Sequence, residues 1–381
     1  LAGLAVLAGW ACSAAALAQR LPPIDSTPRD VAERVNLAWH QESLLVDSSG
    51  EDLQPSAPAG LLPGAAWDDP SSAEGSYENS GGGFVDEFSW SQSGAACDQC
   101  PNRGLVAFVS YDSWKGRPDR GWQNNGIVSG VNFGTRLGRI SDWTGVGFQI
   151  GGSAAAYNWS GTDFRTRNND QAEPQGFLTY GLFRKANENT NWSAAVVQDW
   201  MFNSNFSVFG QNPTLSQWRG QLGYALSAKN EIGIWGAWRS NGDSRLVDPT
   251  FGTVSYAAVN QLSVFLHRKW SPGGADTALW VGVPTHDRLG GSGSLGDYLI
   301  GLSASVPLSN AVGLYTMVNY MHPSASAGEA GFDDEAWNFT IGLTFYPRRN
   351  ARSSTVADQC WMPMMLVANN GLFMTDSSKA Y

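Results

Sequence analysis

The stretch Ala336-Trp337-Asn338-Phe339-Thr340-Ile341-Gly342-Leu343-Thr344-Phe345 alternates without a break. Trp337, Phe339, Ile341, Leu343 and Phe345 carry large apolar side chains, while Asn338, Thr340, Gly342 and Thr344 carry small or polar ones. Successive side chains of a strand point to opposite faces, so a period of two predicts a strand with one apolar and one polar face. Upstream, Tyr298, Ile300, Leu302, Ala304 and Val306 oppose Gly301, Ser303 and Ser305, and Val146, Phe148 and Ile150 oppose Gly147, Gln149 and Gly151. Trp218, Leu222, Tyr224 and Leu226 stand against Gln217, Arg219 and Gln221 in the same way, as do Ile127, Val131 and Phe133 against Gly130, Asn132 and Arg136.

Turn residues then predict strands near 104–112, 124–136, 143–156, 174–185, 190–202, 215–227, 230–239, 254–269, 275–284, 296–306, 310–322 and 335–347. The connections between them count 11, 6, 17, 4, 12, 2, 14, 5, 11, 3 and 12 residues, long and short in turn. An up-and-down barrel puts odd connections at one rim and even ones at the other, and outer-membrane barrels have short periplasmic turns and long external loops. The pattern predicts an all-β, transmembrane, up-and-down antiparallel barrel of about 12 strands over 104–347. Residues 161–170 are expected outside the cell, residues 185–190 in the periplasm, and both termini in the periplasm.

Composition agrees. Charged residues are 15% of the 381, aromatics 12%, and there are 44 Gly and 17 Trp, so a charged surface is not what keeps this chain from aggregating. Beyond the N-terminus no run of eighteen apolar residues exists for a spanning helix, and a membrane protein without helices must be a closed barrel. A soluble sandwich or barrel also alternates. Strands of nine to sixteen residues instead suit a tilted span of roughly nine to eleven, against about five to six in soluble proteins. Trp143, Trp192, Trp200, Tyr256, Trp270, Tyr320, Trp337 and Tyr346 fall near strand ends, where a lipid interface favours them. The net charge of −10, with no Lys/Arg cluster, argues against nucleic acid.

The ends read differently. Residues 1–18, closing on Ala16-Leu17-Ala18, are expected to be a secretory signal lacking its basic leader, hence truncated. Residues 19–103, rich in Pro, Ser, Gly and acids, are expected to be a mostly disordered periplasmic segment, and 348–381 a periplasmic tail. Cleavage leaves Cys97, Cys100 and Cys360 as disulfide candidates in an exported chain, with one thiol left over.

Residues 104–347 resemble outer-membrane β-barrel, porin-like proteins, and the Trp- and Gly-rich strands with a trailing tail resemble an uncharacterised barrel family of planctomycete-type bacteria. That resemblance implies outer-membrane lipid and the barrel assembly machinery as partners. Thr340, Gly342 and Phe345 match part of the assembly signal of that class, although Pro347 holds its last aromatic position and 34 residues follow.

Charges assigned to the lumen face, Arg136, Arg184, Asp199, Arg219 and Asp276, are the candidate pore-lining residues, because charged rings tune selectivity in a water-filled pore. Twelve-stranded outer-membrane phospholipases suggest comparison with His322 beside Ser324 and Ser326, but the fuller His-x-Ser-Asn-type motif is missing, so no enzyme is expected. His267 and His286 stand alone and His40 lies in the N-terminal segment, so neither a metal site nor a cofactor is implied. The expected function is a narrow pore or transport barrel for small solutes. The alternatives are a non-conducting barrel that displays its loops for adhesion or envelope structure and, less favoured, a hydrolase. Oligomeric state is left open. Arg at Leu343 should be costly if that face meets lipid, whereas Arg at Thr340 or Gly342 is expected to escape that cost.

Overall fold

The computed structural model describes residues 103–379, apart from 120–121, 160–161, 165–166, 170, 188–189, 271–273, 291–292, 325–334 and 348–360. The expected signal sequence, nearly all of the segment 19–103, and Cys97, Cys100 and Cys360 lie outside the described residues.

The first strands are β1 (Arg103–Lys115), β2 (Asn124–Arg136) and β3 (Val146–Tyr157), then a small hairpin of β4 (Thr162–Phe164) and β5 (Arg167–Asn169). The wall continues with β6 (Glu173–Arg184), β7 (Trp192–Asn203), β8 (Thr214–Ala225) and β9 (Asn230–Asn241). A second hairpin, β10 (Asp243–Asp248) and β11 (Gly252–Ala258), precedes β12 (Gln261–Trp270) and β13 (Ala275–Pro284). The last are β14 (Gly296–Pro307), β15 (Val312–Pro323), β16 (Ala336–Phe345) and a short β17 (Thr375–Ser377). Twelve of these close into one barrel in the order β1-β2-β3-β6-β7-β8-β9-β12-β13-β14-β15-β16, with β16 returning antiparallel to β1. Closure leaves no unpaired edge, which a strand-built span requires in lipid.

The two faces of the wall are inverted relative to a water-soluble barrel. On β16, Ile341, Leu343 and Phe345 are 39%, 44% and 48% exposed, while Asn338 and Thr340 are each 1% exposed. The same holds around the barrel, with Val109, Ile127, Leu182, Leu222, Ile234, Val264, Val281 and Ile300 exposed outside and Asp112, Gln149, Thr179, Asp199, Gln217 and Ser263 buried inside. A continuous apolar exterior over a polar interior suits hydrocarbon and would aggregate in water.

All twelve expected wall strands are present, with three differences. The eighth was expected from 254, but the ladder with β9 and β13 begins at Gln261. Residues 252–258 pair instead with β10 and β17 in a separate sheet above the rim. The connection 137–145, expected to be short, holds a helix α1 (Arg139–Thr144) capped by Gly145 at φ 71°, so it is no shorter than 116–123 and the alternation fails at that pair. Tyr256 is buried within the extra sheet, 1% exposed, and is no interfacial aromatic.

The largest departure is the chain end. The described residues beyond β16, 361–379, do not form a free tail. Residues 361–374 run through the lumen from the short-turn rim, where Gly104 and Gly134 leave room for Trp361 and Met362, to the long-loop rim, where β17 pairs with β11. The described chain therefore begins, at Arg103, at one rim and ends, at Lys379, at the other.

Candidate functional site

The site is the filled lumen. A chain entering a barrel as an extended segment brings main-chain N–H and C=O groups that the closed wall ladder cannot pair, so wall side chains must supply partners. Gln149 does so three times, accepting from the N–H groups of Met364 and Met365 at 3.0 Å each and donating to the Met365 carbonyl at 2.9 Å. Asn132 donates to the same carbonyl at 2.8 Å. Thr179 Oγ1 accepts from Ala368 N–H at 3.0 Å, and Gln217 donates to the Leu372 carbonyl at 2.9 Å. Main-chain approach this close needs missing side chains in the wall: a Cβ at Gly134 would stand 2.4 Å from the Trp361 carbonyl, and one at Gly151 would stand 2.5 Å from Val367 Cγ2.

Side chains of the tail are read as well. Asn369 donates to Thr340 Oγ1 at 3.1 Å, and Asn370 donates to Tyr157 Oη and Gln175 Oε1 at 2.9 Å each. Thr340, Asn338 and Tyr157 in turn donate to the fully buried carboxylate of Asp112 at 2.5, 2.8 and 2.6 Å. All seven methionines of the chain belong to this packing. Met362, Met364, Met365 and Met374 are in the tail, while Met201, Met317 and Met321 are buried on the lumen side of the wall. Unbranched, flexible thioethers fill irregular gaps between a tube and a threaded chain better than branched side chains do.

At the long-loop rim the tail is latched. Asp376 pairs with Arg117 at 2.9 Å, both nearly buried, and accepts the Leu289 N–H at 2.6 Å, while Val259 N–H donates to the Met374 carbonyl at 2.9 Å. Burial holds the Asp376 carboxyl above the ordinary carboxylate range, with Arg117 acting in the opposite direction. Nearby, Asp119 accepts from the Val208 N–H and from Asn124, each at 2.8 Å, and so ties the connection 204–213 over the mouth. Burial is the larger influence there and raises the Asp119 carboxyl to about 6 against these donors.

The five expected pore-lining charges divide. Arg219 and Asp199 do face inward and form a buried pair, with Nη2 2.9 Å from Asp199 Oδ1 and also donating to the Leu366 carbonyl of the tail at 2.8 Å. Thr179 and Gln217 complete the Asp199 carboxylate. Asp276 faces inward beside Lys269 and accepts from His267 at 2.8 Å. His267, expected to stand alone, thus bridges Asp276 and Glu231, the latter at 3.0 Å. Arg136 lies at the short-turn rim and pairs with Asp142 of α1. Arg184 is the correction, since it shares strand parity with the outward-facing Leu182 and not with inward Thr179 and Phe183, and its half-buried side chain packs at the short-turn rim against Gly145. His322 points outward at the long-loop rim, stacked on Tyr298 at 4.9 Å, with Asp297 3.6 Å from its Nδ1.

The tail was missed as part of the site. Its signal was compositional: Trp361 to Met374 is an apolar, methionine-rich run that a solvated tail would not need.

A closed twelve-stranded tube, apolar outside and polar within, is a membrane-spanning β-barrel of the outer-membrane, porin-like class. The chain belongs to the family of unknown function DUF6666, whose model matches residues 104–375. That match runs past β16 to the first residue of β17, so the threaded tail is part of what the family model describes. Similar solved structures include the COG4313 outer membrane channel from Pseudomonas putida F1, at 9% identity and TM-score 0.42, covering 65% of this chain and 96% of that one. The KdgM porin is similar at 8% identity and TM-score 0.34, over 62% of this chain and 98% of that one. Outer membrane phospholipase A from Escherichia coli is similar at 11% identity and TM-score 0.34, over 63% and 95%. No curated protein matches the chain.

Proposed function

We propose that this protein is a sealed outer-membrane barrel that carries its long loops and C-terminal strand on the cell surface as an adhesive or envelope-structural unit, and that it is not a constitutively open pore. The observation that carries the reading is the tail: residues 361–377 occupy the lumen from rim to rim, and Met365, Val367, Ala368, Asn370, Phe373 and Thr375 are each under 9% exposed. A diffusion pore needs a continuous water column, whereas this lumen is packed with side chains and bonded main chain. The long connections add to the seal, with β10, β11 and β17 forming a three-stranded sheet at one rim and Phe206, Val208 and Phe209 buried in the connection 204–213. The orientation assigned here puts that rim outside, following the rule that external loops are the longer ones. The reading is non-catalytic and gives His322 the part of an interfacial ring stacked on Tyr298.

A planar bilayer tests this directly. Full-length protein should give no single-channel steps, and stable steps from several preparations would overturn the proposal in favour of a small-solute pore. A chain ending at Pro347 should conduct if the wall keeps its shape, since the polar groups of Asn132, Gln149, Thr179 and Gln217 would then line water.

A further inference from the structure

The tail contacts divide by what they read. Asn132, Gln149, Thr179, Gln217 and Arg219 meet main-chain N–H and C=O groups of the tail. Contacts of that kind hold an extended chain whatever its side chains, as in strand addition. Within the buried part of the tail, reading of side chains by polar contact is concentrated at two places, while Ser378 and Lys379 at its half-buried end meet the Ser255 N–H and the Phe251 carbonyl. At the first, Asn369 bonds Thr340, Asn370 bonds both Tyr157 and Gln175, and Gly371 admits no side chain, because a Cβ there would stand 2.4 Å from Asn338 Oδ1 and 2.6 Å from Asn319 Nδ2. At the second, five residues beyond Gly371, Asp376 meets Arg117 and the Leu289 N–H.

We infer that the lumen is a binding site for an extended peptide, selective for Asn-Asn-Gly followed five residues later by Asp, and that residues 361–379 are its covalently attached ligand. The inference rests on how the tail is seated and stands whether or not the intact barrel conducts. Affinity resides in the seated residues themselves and the tether between Pro347 and Trp361 supplies only proximity, so a peptide of the same chemistry competes for the track once the tether is cut.

The test starts from folded full-length protein carrying a protease site inserted between Pro347 and Trp361. After cutting, the protein is passed over a sizing column in detergent and the retained fragment is measured by mass. The fragment should stay with the wild-type wall. In Asn370→Ala, which loses two buried bonds, its residence should shorten about tenfold or more relative to the wild-type fragment. Immediate loss of the fragment from the wild-type wall, or equal residence of the wild-type and Asn370→Ala fragments, would overturn the inference. With the wild-type wall, excess synthetic peptide 361–379 should displace the fragment and its Asn370→Ala version should not. Equal displacement by both peptides would defeat the selectivity even if every barrel variant folds. Conductance by the intact protein would sink the sealed-barrel reading and leave these outcomes untouched.

Discussion

The wall of the barrel satisfies its backbone within a closed ladder, strand on strand, while the tail inside it satisfies its backbone on wall side chains. The two regions therefore fail in different ways. A changed side chain on the wall's outer face leaves every ladder bond intact and alters only the match to lipid. A changed side chain on its inner face strips a partner from the tail and leaves a buried polar group unsatisfied, which costs more than the bond was worth. One strand thus carries positions of two kinds, spaced a residue apart.

The comparison breaks outright if the tail does not cross. Single cysteines at Ser244 in the outer sheet, Lys379 at the tail end and Lys185 in the connection after β6, placed after removal of the native cysteines, separate the rims. An impermeant thiol reagent on intact cells should label the first two and spare the third, an all-or-none difference. Labelling of Lys185→Cys together with Ser244→Cys would defeat the orientation. Labelling confined to Ser244→Cys would leave the orientation and remove the threaded tail.

Next in size is the buried ion pair under the tail. Arg219→Ala leaves the Asp199 carboxylate without its cation at 0% exposure and also releases the Leu366 carbonyl. Removing one partner of such a pair costs about 3 to 5 kcal/mol. Urea unfolding of protein refolded into lipid vesicles should register that loss.

Much of this was legible beforehand, and the reason is periodicity. Strict alternation over ten or more residues marks both faces of a wall strand, so the twelve strands and the inward placement of Asp199, Arg219 and Asp276 follow from Trp337 to Phe345 and stretches like it. Arg184 shows where that reading ends. At the last residue of a strand, one position decides the face, and boundaries drawn by turn residues are uncertain by about two to four residues. The tail has no period at all. Its partners are set by a chain threading past four or more strands at once, and only the methionine-rich apolar run from Trp361 to Met374 hinted that it was buried. Likewise, His267 sits between Glu231 and Asp276 because β12 lies between β9 and β13, an adjacency that single-residue spacing does not reveal.

The outer and inner faces of β16 sharpen the contrast further. Leu343 is 44% exposed on the lipid side, and Arg there should cost about 2 to 4 kcal/mol near mid-membrane. Thr340 was expected to accept Arg without that cost because its face is polar. Its hydroxyl is instead buried between Asp112 and Asn369, so a long side chain has no space unless the tail gives way. Thr340→Arg should therefore free the tail to protease attack from the lumen mouth, and Leu343→Arg should lower unfolding free energy with the tail still protected. Protection lost equally in both variants would mean that the two faces are not energetically distinct.

The smallest effect concerns acid, and it separates the lid from the wall. Asp119 has no cation bonded to its carboxyl among the described residues; it accepts from the Val208 N–H and Asn124. Burial lifts this carboxyl from its ordinary value near 3.8 to about 6, so the folded protein holds the proton more tightly than the unfolded chain does. The stabilisation from that proton is fully present below about 4 and is lost as pH rises through about 6. It amounts to at most about 3 kcal/mol across the window, and to less wherever the connection 204–213 can relax. Hydrogen exchange at Val208 and its neighbours, followed from pH 4 to 7 after correction for intrinsic rates, should show protection falling as pH rises, while amides of the β1–β16 ladder keep theirs. Asp119→Asn should remove the part of the dependence that Asp119 carries and leave that of Glu173, which accepts the Ser207 N–H of the same connection. A lid that instead tightens with rising pH would mean that the ionised carboxylate is the form the Val208 N–H and Asn124 hold best, and that burial at this rim is the weaker influence.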